Sequence, residues 1–134
     1  MIRRSADRVE ESKENIRGGK GVARGVDFLK AGEMDGVLSM GRTTLEPGST
    51  IGEHSHPNTE DLYLILEGHG MGILNGEAFP VGPGDLFLVK AGGSHGLVND
   101  SENPLTFLGV LTRQAESPVS GLSENPSGVN ALLG

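Results

Sequence analysis

Turn signals recur at short intervals through the middle of the chain, and this pattern constrains the fold more than any other feature. Each of them separates short stretches rich in Val, Leu, Ile and Phe: Glu46-Pro47-Gly48, Glu67-Gly68, Asn75-Gly76, Gly82-Pro83-Gly84-Asp85 and Gly92-Gly93. Glycine supplies 22 of the 134 residues, more than twice the usual share of roughly 7%. A glycine inside a helix costs about 1 kcal/mol relative to alanine, whereas tight turns use it readily. An all-β fold follows.

The stretches between the turns predict eight strands at the spacing of a sandwich or small barrel. They cover Val22–Leu29, Val37–Leu45, Leu62–Leu66, Met71–Leu74, Ala78–Val81, Leu86–Val89, Gly96–Val98 and Leu105–Leu111. Asn75-Gly76 is the clearest hairpin turn, because type I′ turns need positive φ at both central positions.

The two ends of the chain differ from the middle. Residues 1–21 are polar and charged with only a weak helical pattern over Arg8–Ile16, and we interpret them as an N-terminal arm. Residues 22–112 form the predicted β domain. Residues 113–134 are rich in Ser, Pro, Glu and Gly and predict a solvated C-terminal tail, within which Val129–Leu133 is apolar enough to dock on this or a neighbouring domain. The length suits one domain.

The charge and composition exclude several classes of function. A net charge of −7 opposes nucleic-acid binding, and so does the absence of Trp from a set of only five aromatic residues. Residues 1–30 carry eight Lys or Arg against five Asp or Glu, so the arm either lies on the acidic body or is simply solvated. The longest apolar run, Leu62–Leu66, is too short for a membrane span or signal peptide. A cytoplasmic protein is therefore predicted.

Three histidines and two carboxylates have the spacing of a metal site. His54 and His56 lie two residues apart, so on an extended chain they point to the same face. Glu60 and Asp61 follow shortly, and His95 comes after a later turn and strand. Because the chain has no Cys, a metal must be bound by His, Asp or Glu. Three His and one carboxylate on a β scaffold predict a divalent Fe, Mn, Ni, Cu or Zn ion with open positions for a ligand.

The same residues resemble the two motifs of the cupin superfamily. The first motif runs Gly, five residues, His-x-His, three or four residues, Glu, six residues and Gly, and is matched by Gly48, His54, His56, Asp61 and Gly68. The second is matched by Gly84, Gly92, His95 and Asn99, with Lys90 in place of its proline. The resemblance covers Gly48 to Asn99 and implies a cupin-type double-stranded β-helix, that is, a jelly-roll barrel.

The resemblance places His54, His56 and His95 in the metal-ligand positions and Asp61 in the position of the family's glutamate. Asp61 shares a strand face with Tyr63, whereas Glu60 lies on the other face. Asp is one methylene shorter than Glu, so three alternatives stay open: Asp61 binds the metal, a local bulge lets Glu60 replace it, or neither does.

Other residues carry weaker expectations. Tyr63 faces the predicted metal and can hydrogen-bond a substrate or move a proton, or can simply fill the barrel. His69 is read as a surface turn residue, and Lys90 either attracts an anion at the mouth or is solvated.

Leu62, Leu64 and Leu66 point away from the barrel. Exposed leucines in a row need a cover, which a second subunit or the arm would supply, and we predict a homodimer.

The sequence as a whole predicts a small metal-dependent cupin that acts on an oxygen-rich molecule bound at the ion. A divalent ion with three neutral imidazoles and one carboxylate has a net charge of +1, which favours carboxylates, enols and hydroxy acids. The family includes oxygenases, isomerases and lyases, so the resemblance does not choose among them, and an oxidoreductase is one option. The alternative is a non-catalytic module that holds a small molecule or a metal.

Overall fold

The computed structural model describes residues 1–114 as two antiparallel sheets packed face to face. The larger sheet has the order β1-β2-β3-β10-β5-β8, and the smaller has the order β4-β9-β6-β7. The strands are β1 (Glu11–Glu14), β2 (Val22–Met34), β3 (Val37–Leu45), β4 (Thr50–Ser55), β5 (Thr59–Glu67), β6 (Gly70–Leu74), β7 (Glu77–Val81), β8 (Leu86–Val89), β9 (Ser94–Val98) and β10 (Leu105–Arg113). Within the described residues the only helical segments are two three-residue 3-10 turns, Ser5–Asp7 and Ile16–Gly18.

The predicted all-β fold is confirmed, and the predicted turns lie between strands. Asn75 and Gly76 join β6 to β7 with φ values of 51° and 84°, the conformation that a type I′ hairpin requires. All eight predicted strands are present, several of them longer than predicted. The sequence reading missed β4 as a regular strand because Gly52, Glu53 and Ser55 give it no continuous apolar face.

The core lies between the sheets and is built from the alternate inward-facing residues of both. Leu45, Ile65 and Leu105 come from the larger sheet and are almost completely buried, and Leu97 of the smaller sheet is fully buried against them. Aromatic rings fill one end of this core. The rings of Phe107 and Phe87 pack there against Tyr63, with centroids 4.4 and 5.4 Å from the centroid of the Tyr63 ring.

The weak helical pattern over Arg8–Ile16 does not correspond to a helix, because residues 11–14 form strand β1. This strand pairs antiparallel with β2, with Glu11 opposite Gly25 and Glu14 opposite Val22. All four of its side chains are exposed, so no alternation of apolar and polar residues marks it. The strand is specified by main-chain hydrogen bonds to the edge of β2, which a side-chain pattern does not reveal.

The rest of the arm also lies on the body rather than in solvent. Arg3 makes an ion pair with Glu33 of β2 at 2.7 Å, and Glu10 lies 3.4 Å from Arg24 of β2. Ile16 packs against the core from the 3-10 turn Ile16–Gly18. The arm is therefore an integral layer on one end of the larger sheet.

The outward leucine face is present at the opposite edge of the larger sheet. Leu62 and Leu64 are half-buried, whereas Leu66 of β5 is 40% exposed. Leu86 and Leu88 extend the face on edge strand β8, where they are 54% and 40% exposed. The predicted docking of Val129–Leu133 lies outside the described residues. In residues 1–114 no helix is long and apolar enough to cross a membrane.

Candidate metal centre

Two neighbouring strands of the smaller sheet bring three histidines to one point. His54 on β4 is the direct cross-strand partner of His95 on β9, and His56 lies just beyond the end of β4. A nitrogen from each ring lies within 4.8 Å of the others, and this is a group that can hold a metal ion. His56 and His95 are buried, and His54 is half-buried toward the opening.

The hydrogen bonds of the rings leave the Nε2 atoms of His54 and His56 available to an ion. His54 Nδ1 donates to the Gly52 carbonyl at 2.7 Å, and His56 Nδ1 shares a hydrogen bond with Thr59 Oγ1 at 2.9 Å. The Nε2 atoms of His56 and His95 are 3.0 Å apart. Two nitrogens bound to one ion at about 2.1 Å lie roughly 3.0 to 3.4 Å apart. The residues therefore fit a metal.

Electrostatics keeps the imidazoles in the form that binds metals. Burial lowers the pKa of His54 and is the largest effect there. Burial likewise lowers the pKa of His56, with further lowering from nearby His95. Both rings are therefore neutral near pH 7, and a metal ligand must be neutral imidazole. His95 Nδ1 is buried and has no hydrogen-bond partner in the described residues.

The structure separates the two candidate carboxylates. Asp61 is buried in β5 of the facing sheet, and its Oδ2 lies 3.4 Å from His95 Nε2 and 3.6 Å from His56 Nε2. Glu60 points the other way and forms an ion pair with Lys90 at 2.8 Å. Asp61 is thus the carboxylate beside the histidines, as the alternation of side chains in a strand requires. The Lys90 side chain is 71% exposed and faces Glu60, not the histidines.

Tyr63 lies two residues after Asp61 and forms one wall of the site. Its ring stacks on His95 with centroids 4.5 Å apart and planes 29° apart. Burial raises the pKa of Tyr63, and the charge of Asp61 adds to this effect. The hydroxyl therefore stays protonated at neutral pH and can donate a hydrogen bond, and the ring also holds His95 in place.

A cavity of about 220 Å³ opens beside these residues, and its wall includes a residue that the sequence reading missed. His54, His56, Asp61 and Tyr63 line it from the barrel, and Arg17 lines it from the arm. A larger cleft of about 600 Å³ lies between the arm and β2, and its lining includes no histidine. No motif marked Arg17, because a residue in an irregular turn has no periodicity.

The surroundings of two other residues named in the sequence analysis, His69 and Asn99, indicate structural roles. His69 is exposed in the turn between β5 and β6, as expected. Asn99 is fully buried, and its Nδ2 donates to the carbonyls of Leu45 and Asn103. Its Oδ1 accepts from the backbone and the hydroxyl of Ser101. Asn99 therefore holds together the loop that follows β9.

Comparison with known proteins agrees with the fold. The family described as "Cupin domain" matches residues 41–111, which is more than half of the chain. The chain belongs to the cupin family. This cupin is 34% identical over 112 residues to an oxalate-binding protein from Thermotoga maritima, covering 83% of this chain and 93% of the relative.

Solved structures extend the comparison. A crystal structure of a predicted oxalate decarboxylase from Thermotoga maritima superposes with a TM-score of 0.80 at 33% identity, covering 84% of this cupin and 99% of that chain. A sugar phosphate isomerase of the cupin superfamily from Silicibacter pomeroyi superposes with a TM-score of 0.61 at 27% identity, covering 69% of this cupin and 60% of that chain. The fold therefore occurs in proteins with different assigned activities, so the function must be argued from the site.

Proposed function

We propose that this cupin binds a small dicarboxylate, with oxalate as the first candidate, at a divalent metal held by His54, His56, His95 and Asp61. The observation that carries the proposal is the convergence of three imidazole nitrogens within 4.8 Å, with the Asp61 carboxylate 3.4 Å from one of them. A curated relative and a solved structure, both from Thermotoga maritima, carry names that refer to oxalate, which supports this choice of ligand.

The residues of this chain have distinct tasks in that function. The three imidazoles and the carboxylate would hold the ion, and a bound Fe, Mn, Ni, Cu or Zn ion would supply Lewis acidity and a positive charge for the ligand oxygens. Gly52 and Thr59 orient His54 and His56 through their Nδ1 atoms. The protonated hydroxyl of Tyr63 donates a hydrogen bond to a ligand oxygen.

Metal content is the first test. Untagged protein is analysed by mass spectrometry as isolated and after reconstitution with each of the five metals. We expect close to one ion per chain in the wild type, and loss of the ion in His95→Ala and Asp61→Asn. Glu60→Gln is the matched control for the carboxylate, because Glu60 pairs with Lys90 away from the histidines. A wild type without metal after reconstitution would refute the proposal.

Turnover is the second test and separates an enzyme from a binding module. Oxalate is added to the metal-loaded protein with and without oxygen, and carbon dioxide, formate and peroxide are measured beside the affinity by calorimetry. We propose a metal-dependent enzyme of the oxygenase, isomerase or lyase type. Binding without any product, for oxalate and for a panel of enols and hydroxy acids, would instead establish the non-catalytic module, which the shorter Asp61 ligand favours.

Assembly and location complete the proposal. The leucine face on β5 and β8 supports a homodimer, because Leu66, Leu86 and Leu88 are all at least 40% exposed. Light scattering after size exclusion at micromolar concentration tests this, and a monomeric mass would refute it. We also propose the cytoplasmic location predicted from the sequence, for which fractionation of cells is the test.

A further inference from the structure

Arg17 has an unusual backbone conformation for its residue type. It lies at φ 56° and ψ 37° in the 3-10 turn Ile16–Gly18, and the neighbouring Asn15 and Gly18 also have positive φ. The left-handed region is disfavoured for a residue with a Cβ atom, and glycine or asparagine is the usual occupant. The backbone alone would thus favour glycine at position 17. Strain of this kind, observed in the wall of a cavity, points to a task for the side chain.

The turn that carries Arg17 is fixed to the strand that carries His54. A Cβ atom added to Gly52 would come closer than 3.0 Å to the Arg17 carbonyl oxygen, so the two backbones are in direct contact. Lys20 donates its backbone N–H to Thr50 Oγ1 at 2.9 Å, and Thr50 donates back to the Lys20 carbonyl at 2.8 Å. Gly52 also accepts the hydrogen bond of His54. Arg17 and His54 are therefore positioned by the same residue.

The guanidinium of Arg17 has no partner within residues 1–114. It makes no side-chain hydrogen bond and no ion pair there, whereas Arg3 and Arg24 of the same region each bind a carboxylate. Arg17 lines the cavity with His54, Asp61 and Tyr63. An exposed arginine without a protein partner in the described residues thus lies at the wall of the site.

We infer that Arg17 is the carboxylate-recognising residue of this site and sets its preference for dianions. The inference rests on the proposed function. A divalent ion with the Asp61 carboxylate carries +1, Arg17 adds one positive charge, and Asp27, which also lines the cavity, adds one negative charge. Arg17 therefore acts as a directed pair of donors for the second carboxylate of the ligand, and the net charge facing the ligand stays at +1. Arginine suits this task because its planar, always charged guanidinium offers two parallel N–H donors to a carboxylate. The metal alone would not distinguish the second carboxylate of such a ligand.

Calorimetry on the metal-loaded protein tests the inference with oxalate as the dianion and glycolate as the monoanion. We expect Arg17→Gln to retain the metal and to lose roughly 10- to 100-fold in oxalate affinity but at most a few-fold in glycolate affinity. Arg17→Lys keeps the charge without the paired donors and should recover part of the loss. Arg4→Gln is the matched control, because it removes an arginine from an exposed position on the same arm, and its affinity should stay within two-fold of the wild type.

Arg17→Gly separates the side chain from the backbone. Glycine relieves the positive φ, so this variant should melt at or above the wild-type temperature and still lose oxalate affinity as Arg17→Gln does. Oxalate affinity equal to wild type in both variants, with the metal present, would overturn the inference and leave the proposed function intact. Failure of the metal-loaded wild type to bind oxalate would overturn the proposed function and the inference together.

Discussion

Replacing Gly52 by alanine tests whether the arm and the barrel form one unit at the site. The added methyl group would lie within 3.0 Å of the Arg17 carbonyl oxygen and of the Gly19 amide nitrogen. Both neighbours are backbone atoms, so no side chain can rotate away. The clash must be relieved by a shift of the strand or by displacement of the turn Ile16–Gly18.

The loss of folding free energy caused by Gly52→Ala has an upper limit, which is the free energy needed to detach the turn Ile16–Gly18 from the barrel. Detachment breaks the two hydrogen bonds between Lys20 and Thr50, worth about 1 kcal/mol each. It also exposes half-buried Ile16, worth about 1 kcal/mol more. The limit is thus about 3 kcal/mol, and overpacking that the fold absorbs costs about 1 to 3 kcal/mol. A loss of about 2 kcal/mol lowers the melting temperature of a domain of this size by roughly 6 to 10 °C.

Urea denaturation followed by circular dichroism measures the loss, and hydrogen exchange over residues 15–21 shows whether the turn has detached. Gly25→Ala is the control, since a Cβ atom there meets its nearest neighbours only at 3.7 Å, and its stability should stay within about 0.5 kcal/mol of the wild type. A Gly52→Ala variant as stable as this control, with unchanged protection of the turn, would refute the reasoning.

Three further predictions address the site and the loop behind it. The pKa values of His54 and His56 are lower in the folded chain than in the unfolded chain; the unfolded state therefore takes up protons first as the pH falls below about 6.5. The metal-free protein should accordingly melt at a lower temperature at pH 5 than at pH 7.5, and His54→Gln should flatten this slope. Tyr63→Phe keeps the ring against His95, so we expect unchanged metal content and a few-fold weaker oxalate binding; loss of the metal would assign Tyr63 a structural task instead. Asn99→Ala leaves the carbonyls of Leu45 and Asn103 without their donor, and urea denaturation should show a loss of about 2 to 3 kcal/mol, whereas wild-type stability would contradict the role of Asn99 in closing the loop.

The strands and the meeting of the histidines were predictable because they depend on local patterns. The turns mark the strand ends, and the spacing of His54 and His56 places both on one face whatever the sheet around them. The same alternation distinguishes Asp61 from Glu60, which lies on the other face with Lys90. The role of these residues as metal ligands remains a proposal.

The arm was not predictable, and the reason is physical. Strand β1 has four exposed side chains, and its position depends on hydrogen bonds to β2 that lie far away in sequence. Arg17 reaches the cavity because Gly52 permits a close backbone contact, and no pattern within residues 1–21 records that contact. Contacts between residues that are far apart in sequence form only when the chain folds, so the local sequence pattern does not predict them.

The cavity wall contributed by the arm has a consequence for how cupins of this kind can diversify. The histidines and Asp61 all lie between positions 54 and 95, whereas Arg17 belongs to the 3-10 turn between β1 and β2. On the proposed roles, a side-chain change at position 17 that keeps the turn backbone would alter ligand preference while leaving the proposed ion-binding residues in place. On these proposed roles, ligand selectivity and ion binding depend on separate stretches of the sequence that meet at Gly52.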